Sequence, residues 1–361
     1  MTQVLHNFNA GPSILPREVF EEASQAILNF DDTGLSILEL GHRTKKFQAV
    51  MDEAIALVKE LMQLDSNHEV MFLHGGASTQ FLQVPMNLLG ENDLAAYTDT
   101  GVWASKAIKE AKLFGHVEIV CSSKEGNYTY LPKNFTVPKT AKYLHITTNN
   151  TIYGTQWHDL DPIYSAGVPI VADMSSDILS RDIDFNKFDV IYAGAQKNVG
   201  AAGVNLTVIN KNILGKVKRK IPSMLDYNVH LANGSMYNTP PVFAVYLCML
   251  TLRWLKGKGG VKEIEKLNNR KASLLYNTID SLPLFKGTVV KEDRSKMNVC
   301  FVASNEAVEQ EFIELCQKEG MIGVKGHRSV GGFRISLYNA LPVESVEAIT
   351  DLMKDFAQRK S

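Results

Sequence analysis

The chain has 361 residues, with 38 Lys and Arg against 39 Asp and Glu, for a formal net charge of −1 at pH 7. That length exceeds one ordinary core and predicts a large domain with a smaller one, and 45% hydrophobic with 21% charged residues describes a soluble globular protein. The near-neutral balance excludes a global preference for nucleic acid or an anionic membrane surface, so any anion must be held by local groups.

The first residues, Met1 to Asn7, lack the basic start and the apolar core of a signal peptide, which predicts a cytoplasmic protein. From Thr44, the apolar residues Phe47, Val50, Met51, Ala54, Leu57, Val58 and Leu61 recur at steps of three and four. This spacing predicts an amphipathic helix capped by the threonine. Short apolar runs then alternate with helical segments, and strands are expected at 70–73, 94–97, 117–121, 143–147, 169–173, 190–193 and 206–209. Continuous apolar strands separated by helices predict an α/β fold with a mostly parallel sheet covered on both faces. The longest apolar stretch, 242–252, is about half a membrane span and runs into Arg253 and Lys256.

Lys256-Gly257-Lys258-Gly259-Gly260 marks a boundary. The expectation is a large domain over 1–257 and a small α+β domain over 258–361, on which the first 15 or so residues also pack. The second unit reads helix (261–282), strand (299–302), helix (308–318), strand (333–337) and helix (343–356). Cys121, Cys248, Cys300 and Cys316 have no metal-like spacing and read as buried, reduced thiols. No GxGxxG or GxxxxGK[ST] pattern is present, which weighs against the two common nucleotide folds.

Chemistry concentrates at strand ends. Lys197 follows the apolar run Asp189 to Gln196 and precedes a glycine-rich stretch. Among apolar walls an ammonium loses hydration, so its pKa falls and the amine can form a Schiff base with an aldehyde cofactor. Asp173 ends another apolar run; it either caps the next helix or keeps a pyridine nitrogen protonated, and a lysine with such a carboxylate is the pair that pyridoxal phosphate chemistry requires. His74-Gly75-Gly76-Ala77-Ser78-Thr79-Gln80 is either a tight strand-to-helix turn with a serine cap or a phosphate cradle. Trp103 is either core or a ring that stacks on a cofactor, Thr151 either ends a turn or bonds the cofactor, and Asn238-Thr239 precedes Pro240-Pro241 as a helix cap would. Arg334 opens a strand with apolar neighbours, where bidentate recognition of a carboxylate is the natural use. The Gly-His-Arg groups at His42-Arg43 and His327-Arg328 form a phosphate site if the fold unites them, and are otherwise solvated loop charges.

From Asn7-Phe8-Asn9-Ala10-Gly11-Pro12 through Gly326-His327-Arg328-Ser329-Val330-Gly331-Gly332-Phe333-Arg334 to Tyr338-Asn339-Ala340, the chain closely resembles the phosphoserine aminotransferase family. These are class V aminotransferases of the aspartate-aminotransferase-like pyridoxal phosphate fold. The resemblance implies Lys197 as the Schiff-base lysine, Asp173 as the partner of the pyridine nitrogen and Trp103 as the stacking ring, with Gly76, Ala77, Thr151 and Gln196 as further cofactor contacts. It implies a homodimer with shared active sites, in which Asn238 and Thr239 reach the cofactor phosphate of the neighbouring subunit. For the substrate it implies Arg334 on the α-carboxylate, and His42, Arg43, His327 and Arg328 around a phosphate or distal carboxylate. The implied reaction is ping-pong transfer of an amino group from L-glutamate to 3-phosphohydroxypyruvate, with no metal, in serine biosynthesis. Some members carry arginine where this chain has Ser78, and serine where it has Ala10. Two rivals stand against this: a cysteine desulfurase, which needs a mobile cysteine that the 320–332 loop lacks, and a non-catalytic protein that kept the fold, against which Lys197, Asp173 and the arginines argue.

Overall fold

A computed structural model describes residues 5–360; the part of the signal-peptide expectation that falls on Met1–Val4 lies outside the described residues. Seven strands form the large sheet: β1 (His68–His74), β2 (Leu94–Asp99), β3 (His116–Ser122), β4 (Ala141–Thr147), β5 (Ile170–Asp173), β6 (Val190–Gly194) and β7 (Val204–Asn210). Their spatial order is β1-β7-β6-β5-β4-β2-β3. Six strands run one way, and β7 runs antiparallel between β6 and β1. The expected strands fall inside these elements, apart from Pro169, one residue before β5.

The longer helices are α1 (Arg17–Leu28), α2 (Lys45–Leu61), α3 (Ala77–Leu88), α4 (Val102–Ala111), α5 (Val242–Gly257), α6 (Gly260–Ser281), α7 (Glu306–Lys318) and α8 (Val343–Lys360). In β1, Val70 and Phe72 join one apolar cluster with α1, α2 and α5, whereas Met71 and Leu73 join another with α3 and α4. That alternation is the period-two geometry of a strand, and it gives a sheet packed on both faces. The Thr44 hydroxyl accepts from Phe47 N, capping α2 as its sequence predicts. Such a cap contributes ~1 kcal/mol, whereas each large apolar side chain buried by α2 contributes ~1.5–3 kcal/mol. Packing, not capping, therefore holds α2 in place.

Helix α1 had no sequence expectation. Its buried face is only Val19, Ala23 and Ala26, while Phe20 and Leu28 are exposed, which blurs the helical period. Cys121 corrects another expectation, because it lies half-buried on β3, near the sheet edge, whereas Cys248, Cys300 and Cys316 are buried; all four are free. No helix among the described residues is long and apolar enough to cross a membrane.

Beyond α5 a three-stranded antiparallel sheet forms from β8 (Phe285–Gly287), β9 (Asn298–Ala303) and β10 (Phe333–Ser336). It packs with α6, α7 and α8 in a cluster that also takes in Phe8. The segment His6–Asn7 pairs in parallel with Met321–Ile322. Helix α6 begins in the large cluster at Val261 and Ile264 and ends in the small one at Ala272, Leu275 and Ile279. On these contacts we propose that the second domain starts at α6 and includes the N-terminal segment.

Candidate active site

In an open α/β sheet the carboxyl ends of the parallel strands face a common crevice. Here that edge carries a cavity of about 230 Å³. Lys197 enters it from the β6–β7 connection and Asp173 from the end of β5, with Trp103, at the start of α4, and Thr151 beside them. Gln196 and the Gly76-Ala77-Ser78 turn also line it. Seven sequence-predicted residues thus share one cavity: Gly76, Ala77, Trp103, Thr151, Asp173, Gln196 and Lys197.

The Lys197 Nζ donates to the Thr151 hydroxyl at 2.7 Å. Burial pulls its pKa from the ordinary 10.5 to about 8, with Asp173 opposing the shift and Arg334 adding to it. Desolvation raises the Asp173 pKa, and the Ser175 hydroxyl (2.6 Å) and amide (2.9 Å), both donating to its Oδ1, offset part of that rise. Ser175 Oγ in turn accepts from Gly194 N at 3.1 Å, tying β5 to β6 beside the lysine. A buried carboxylate in this state calls for a cationic N–H partner.

At the turn before α3, Gly75 has φ +89° and a Cβ there would collide with the Thr79 hydroxyl, so only glycine fits. The helix starts at Ala77 with no side-chain cap, contrary to the serine-cap alternative. Its uncapped start, Gly76 to Ser78, lines the cavity, and free amides at a helix N-terminus suit an anion. Trp103 Nε1 and Thr147 Oγ1 are buried without hydrogen-bond partners, and both residues line the cavity. An aromatic group carrying a phosphate, a ring nitrogen and an aldehyde fits this set: helix terminus for the phosphate, Asp173 for the nitrogen, Lys197 for the aldehyde, indole for the ring.

The remaining predicted residues do not line this cavity. Arg334, on β10, sits near enough to depress the Lys197 pKa, makes no salt bridge among the described residues, and has its Nε buried and unpartnered. His327 is half-buried near Arg334, Arg328 and Lys106, whose charges add to burial in lowering its pKa. Arg328 is exposed, as are Arg43, Asn238 and Thr239, while His42 is half-buried. Asn238 and Thr239 do not cap α5, whose cap position is Pro241. Instead the Thr239 carbonyl accepts from His74 Nε2 at 2.7 Å.

Sequence reasoning missed Thr147, Asn149, Ser175 and Ser176 as cavity residues. The two serines directly after Asp173 were a readable signal, since short hydroxyls next to a strand-end carboxylate are natural donors to it. The Ser13 contacts, N to Gln196 O at 2.9 Å and Oγ to Lys197 O at 2.5 Å, had no signal, because they join residues some 184 positions apart. The desulfurase alternative loses its last candidate, as Cys316 is buried within α7.

The chain matches the family described as Aminotransferase class-V over residues 5–349. It is 58% identical to phosphoserine aminotransferase of Flavobacterium johnsoniae over 350 residues, covering 97% of this chain and 98% of that one. The enzyme of the same name from Bacteroides thetaiotaomicron is 56% identical over 353 residues, with 97% and 98% coverage. The solved structure of phosphoserine aminotransferase from Bacillus circulans subsp. alkalophilus superposes with a TM-score of 0.96 at 43% identity, over 99% of both chains. A pyridoxal-phosphate-bound phosphoserine aminotransferase from Trichomonas vaginalis gives 0.90 at 35% identity, over 97% of this chain and 100% of that one. With the geometry and these likenesses in agreement, the chain belongs to the class-V aminotransferases, transaminases that use pyridoxal 5′-phosphate, and within them to the phosphoserine aminotransferases.

Proposed function

We propose that this enzyme transfers the amino group of L-glutamate to 3-phosphohydroxypyruvate, giving O-phospho-L-serine and 2-oxoglutarate in serine biosynthesis, by a ping-pong route in the cytoplasm. The observation that carries the reading is the presence of Lys197 and Asp173 in one cavity, with Arg334, which has no ion pair among the described residues, close enough to act on the lysine. Bound pyridoxal phosphate supplies an electrophilic aldehyde and a ring that accepts the electron pair left when a substrate α-proton departs.

Lys197 is the amine that holds the aldehyde and, once displaced by the amino substrate, moves the α-proton with its Nζ. With a pKa of about 8, about a quarter of such amines are unprotonated at pH 7.5, against roughly a thousandth for an ordinary lysine. Asp173 keeps the ring nitrogen protonated; its own burial makes that proton the natural compensation for its charge. Trp103 stacks on the ring, Thr151 orients Lys197 Nζ, and Gly76, Ala77 and Gln196 complete the contacts. Arg334 binds the α-carboxylate common to every substrate of the cycle.

The groups absent from the cavity fit a homodimer with shared sites. Asn238 and Thr239 serve the cofactor phosphate of the neighbouring subunit, and His42, Arg43, His327 and Arg328 take the substrate phosphate or distal carboxylate. Exposed apolar side chains flank these residues, Leu35 (47% exposed) and Leu38 (61%) ahead of His42 and Tyr237 (41%) beside Asn238, as a surface covered by a second copy requires.

The test is to mix the purified, cofactor-loaded enzyme with L-glutamate alone. One equivalent of 2-oxoglutarate per site and bleaching of the visible band are expected, with the band restored and O-phosphoserine formed when 3-phosphohydroxypyruvate follows. Release of 2-oxoglutarate only when both substrates are present would overturn the ping-pong assignment.

A further inference from the structure

Asn149 lines the cofactor cavity and has no part in the reaction as proposed above. It belongs to a short hairpin in which Asn149–Asn150 pairs with Thr155–Gln156, and whose turn carries Thr151, the hydroxyl that receives Lys197 Nζ. Against this hairpin lies the sheet of the second domain. Ser295 N donates to Gly154 O at 2.7 Å, and the Cys300 thiol donates to Ile152 O at 3.5 Å. Gly154 has φ +82°, and a Cβ there would come within 2.9 Å of Asn298 O and 3.1 Å of the Cys300 side chain, so the hairpin and β9 meet with no room between them.

Two amides close the seam. Asn149 Nδ2 donates to Asn298 Oδ1 and to Ser176 Oγ, both at 2.8 Å, while its Oδ1 accepts from Ser295 Oγ at 2.5 Å. Asn298 Nδ2 donates to Ser336 Oγ at 3.1 Å and to the Tyr338 hydroxyl at 3.2 Å. Each amide thus commits both of its protons, and turning either one alone would set like atoms face to face at the 2.8 Å contact. With Asn149 at 2% and Asn298 at 0% exposure, the pair lies out of reach of bulk water. In so dry a place an amide deprived of its partner keeps a desolvated group with nothing to bond.

The same strand pair carries Arg334. In the register of β9 and β10, Asn298 stands opposite Ser336 and Cys300 opposite Arg334. Residues directly opposite, and residues two apart on one strand, share a face of the sheet. Arg334 and Ser336 therefore lie on the face from which Asn298 and Cys300 touch the hairpin. The hairpin holds Lys197 at Thr151 and the Arg334 strand at Asn149, and so fixes one relative to the other. Arg334 makes no ion pair among the described residues, and its buried Nε has no hydrogen-bond partner. Where its strand sits therefore decides where the guanidinium sits.

We propose that Asn298, held by Asn149, is a positioning residue for Arg334: the amide pair sets the depth at which β10 presents the guanidinium to the substrate carboxylate. The proposal rests on the reading of Arg334 as the group that binds the α-carboxylate. The test compares single-turnover kinetics of the parent holoenzyme with those of its Asn298→Ala, Arg334→Ala and doubly substituted variants, using L-glutamate and O-phospho-L-serine. Asn298→Ala is expected to raise the half-saturating concentration of both amino acids about tenfold, the upper end of what one hydrogen bond contributes, with the limiting rate and the visible absorbance of the bound cofactor unchanged. Added to Arg334→Ala it is expected to cause no further rise, since the group it positions is gone. Where Asn298→Ala yields no folded holoenzyme, Ser336→Ala, which removes one acceptor of the Asn298 amide, carries the same comparison, with a rise of about threefold expected. Parental half-saturation in the variant so measured overturns the proposal, even if its melting temperature falls, and so does an undiminished rise on top of Arg334→Ala. Parental half-saturation for both amino acids in Arg334→Ala would instead overturn the reading of Arg334.

Discussion

Replacing Lys197 by methionine in the cofactor-free protein isolates the desolvation of one amine. In the folded chain burial holds its pKa near 8, against an ordinary 10.5. At ~1.4 kcal/mol for each tenfold change in proton affinity, charging the buried amine is disfavoured by about 3 kcal/mol. The sign follows from proton counting: below pH 8 the amine is protonated in both states and the whole penalty acts against folding. Between pH 8 and 10.5 the unfolded chain keeps a proton that the folded chain has released, so stability rises with pH. Above 10.5 both states are neutral and the penalty is gone. The methionine variant lacks this term. Its stability relative to the parent should therefore fall by about 2 kcal/mol between pH 7 and 9.5, read from urea melts of both apoproteins at matched pH. A difference that stays flat across that range, or grows, would refute the claim that Lys197 is desolvated.

Two further predictions concern substrate choice and assembly. Alanine at Arg43 or Arg328 should lower kcat/KM for O-phosphoserine roughly ten- to a hundredfold and spare an unphosphorylated amino acid such as alanine, whereas alanine at Arg334 should weaken both; equal losses at Arg43 on the two substrates would sink the phosphate assignment. Mixing Lys197→Ala subunits with subunits inactivated at Asn238 and Thr239 should restore part of the activity in exchanged dimers. Subunit exchange proven by mass, without recovery, would mean that one chain builds each site.

Much of the large sheet was legible because its strands are continuous apolar runs between helices, and α2 because its apolar spacing never breaks. The reversed direction of β7 was not, since Val204–Asn210 is buried like the parallel strands and direction depends on connection rather than pattern. In the cavity, Lys197 and Asp173 were readable from their places at strand ends. Ser175 was passed over because its role lies in a local hydrogen bond. That Arg43, Asn238 and Thr239 are exposed and His42 half-buried, all outside the cavity, could not be read from local pattern, which does not say which loops the fold brings together.

The inversion of β7 also constrains how this family can change length. Lys197 stands in a connection whose two ends are paired to each other, Gly194 opposite Asn205, with Ala195 N donating to Val204 O at 3.1 Å and the far end held by Gly75 N on Gly203 O at 3.1 Å. A one-residue insertion or deletion in β6 or β7 turns every following side chain to the opposite face of the sheet. Such a change would swing the lysine out of the crevice or strip Tyr192 and Ile191 from their separate apolar layers. Crossover connections elsewhere in the sheet pass through helices and loops that absorb extra residues. Drift by insertion is thus open to most of the chain and closed to the hairpin that bears the amine.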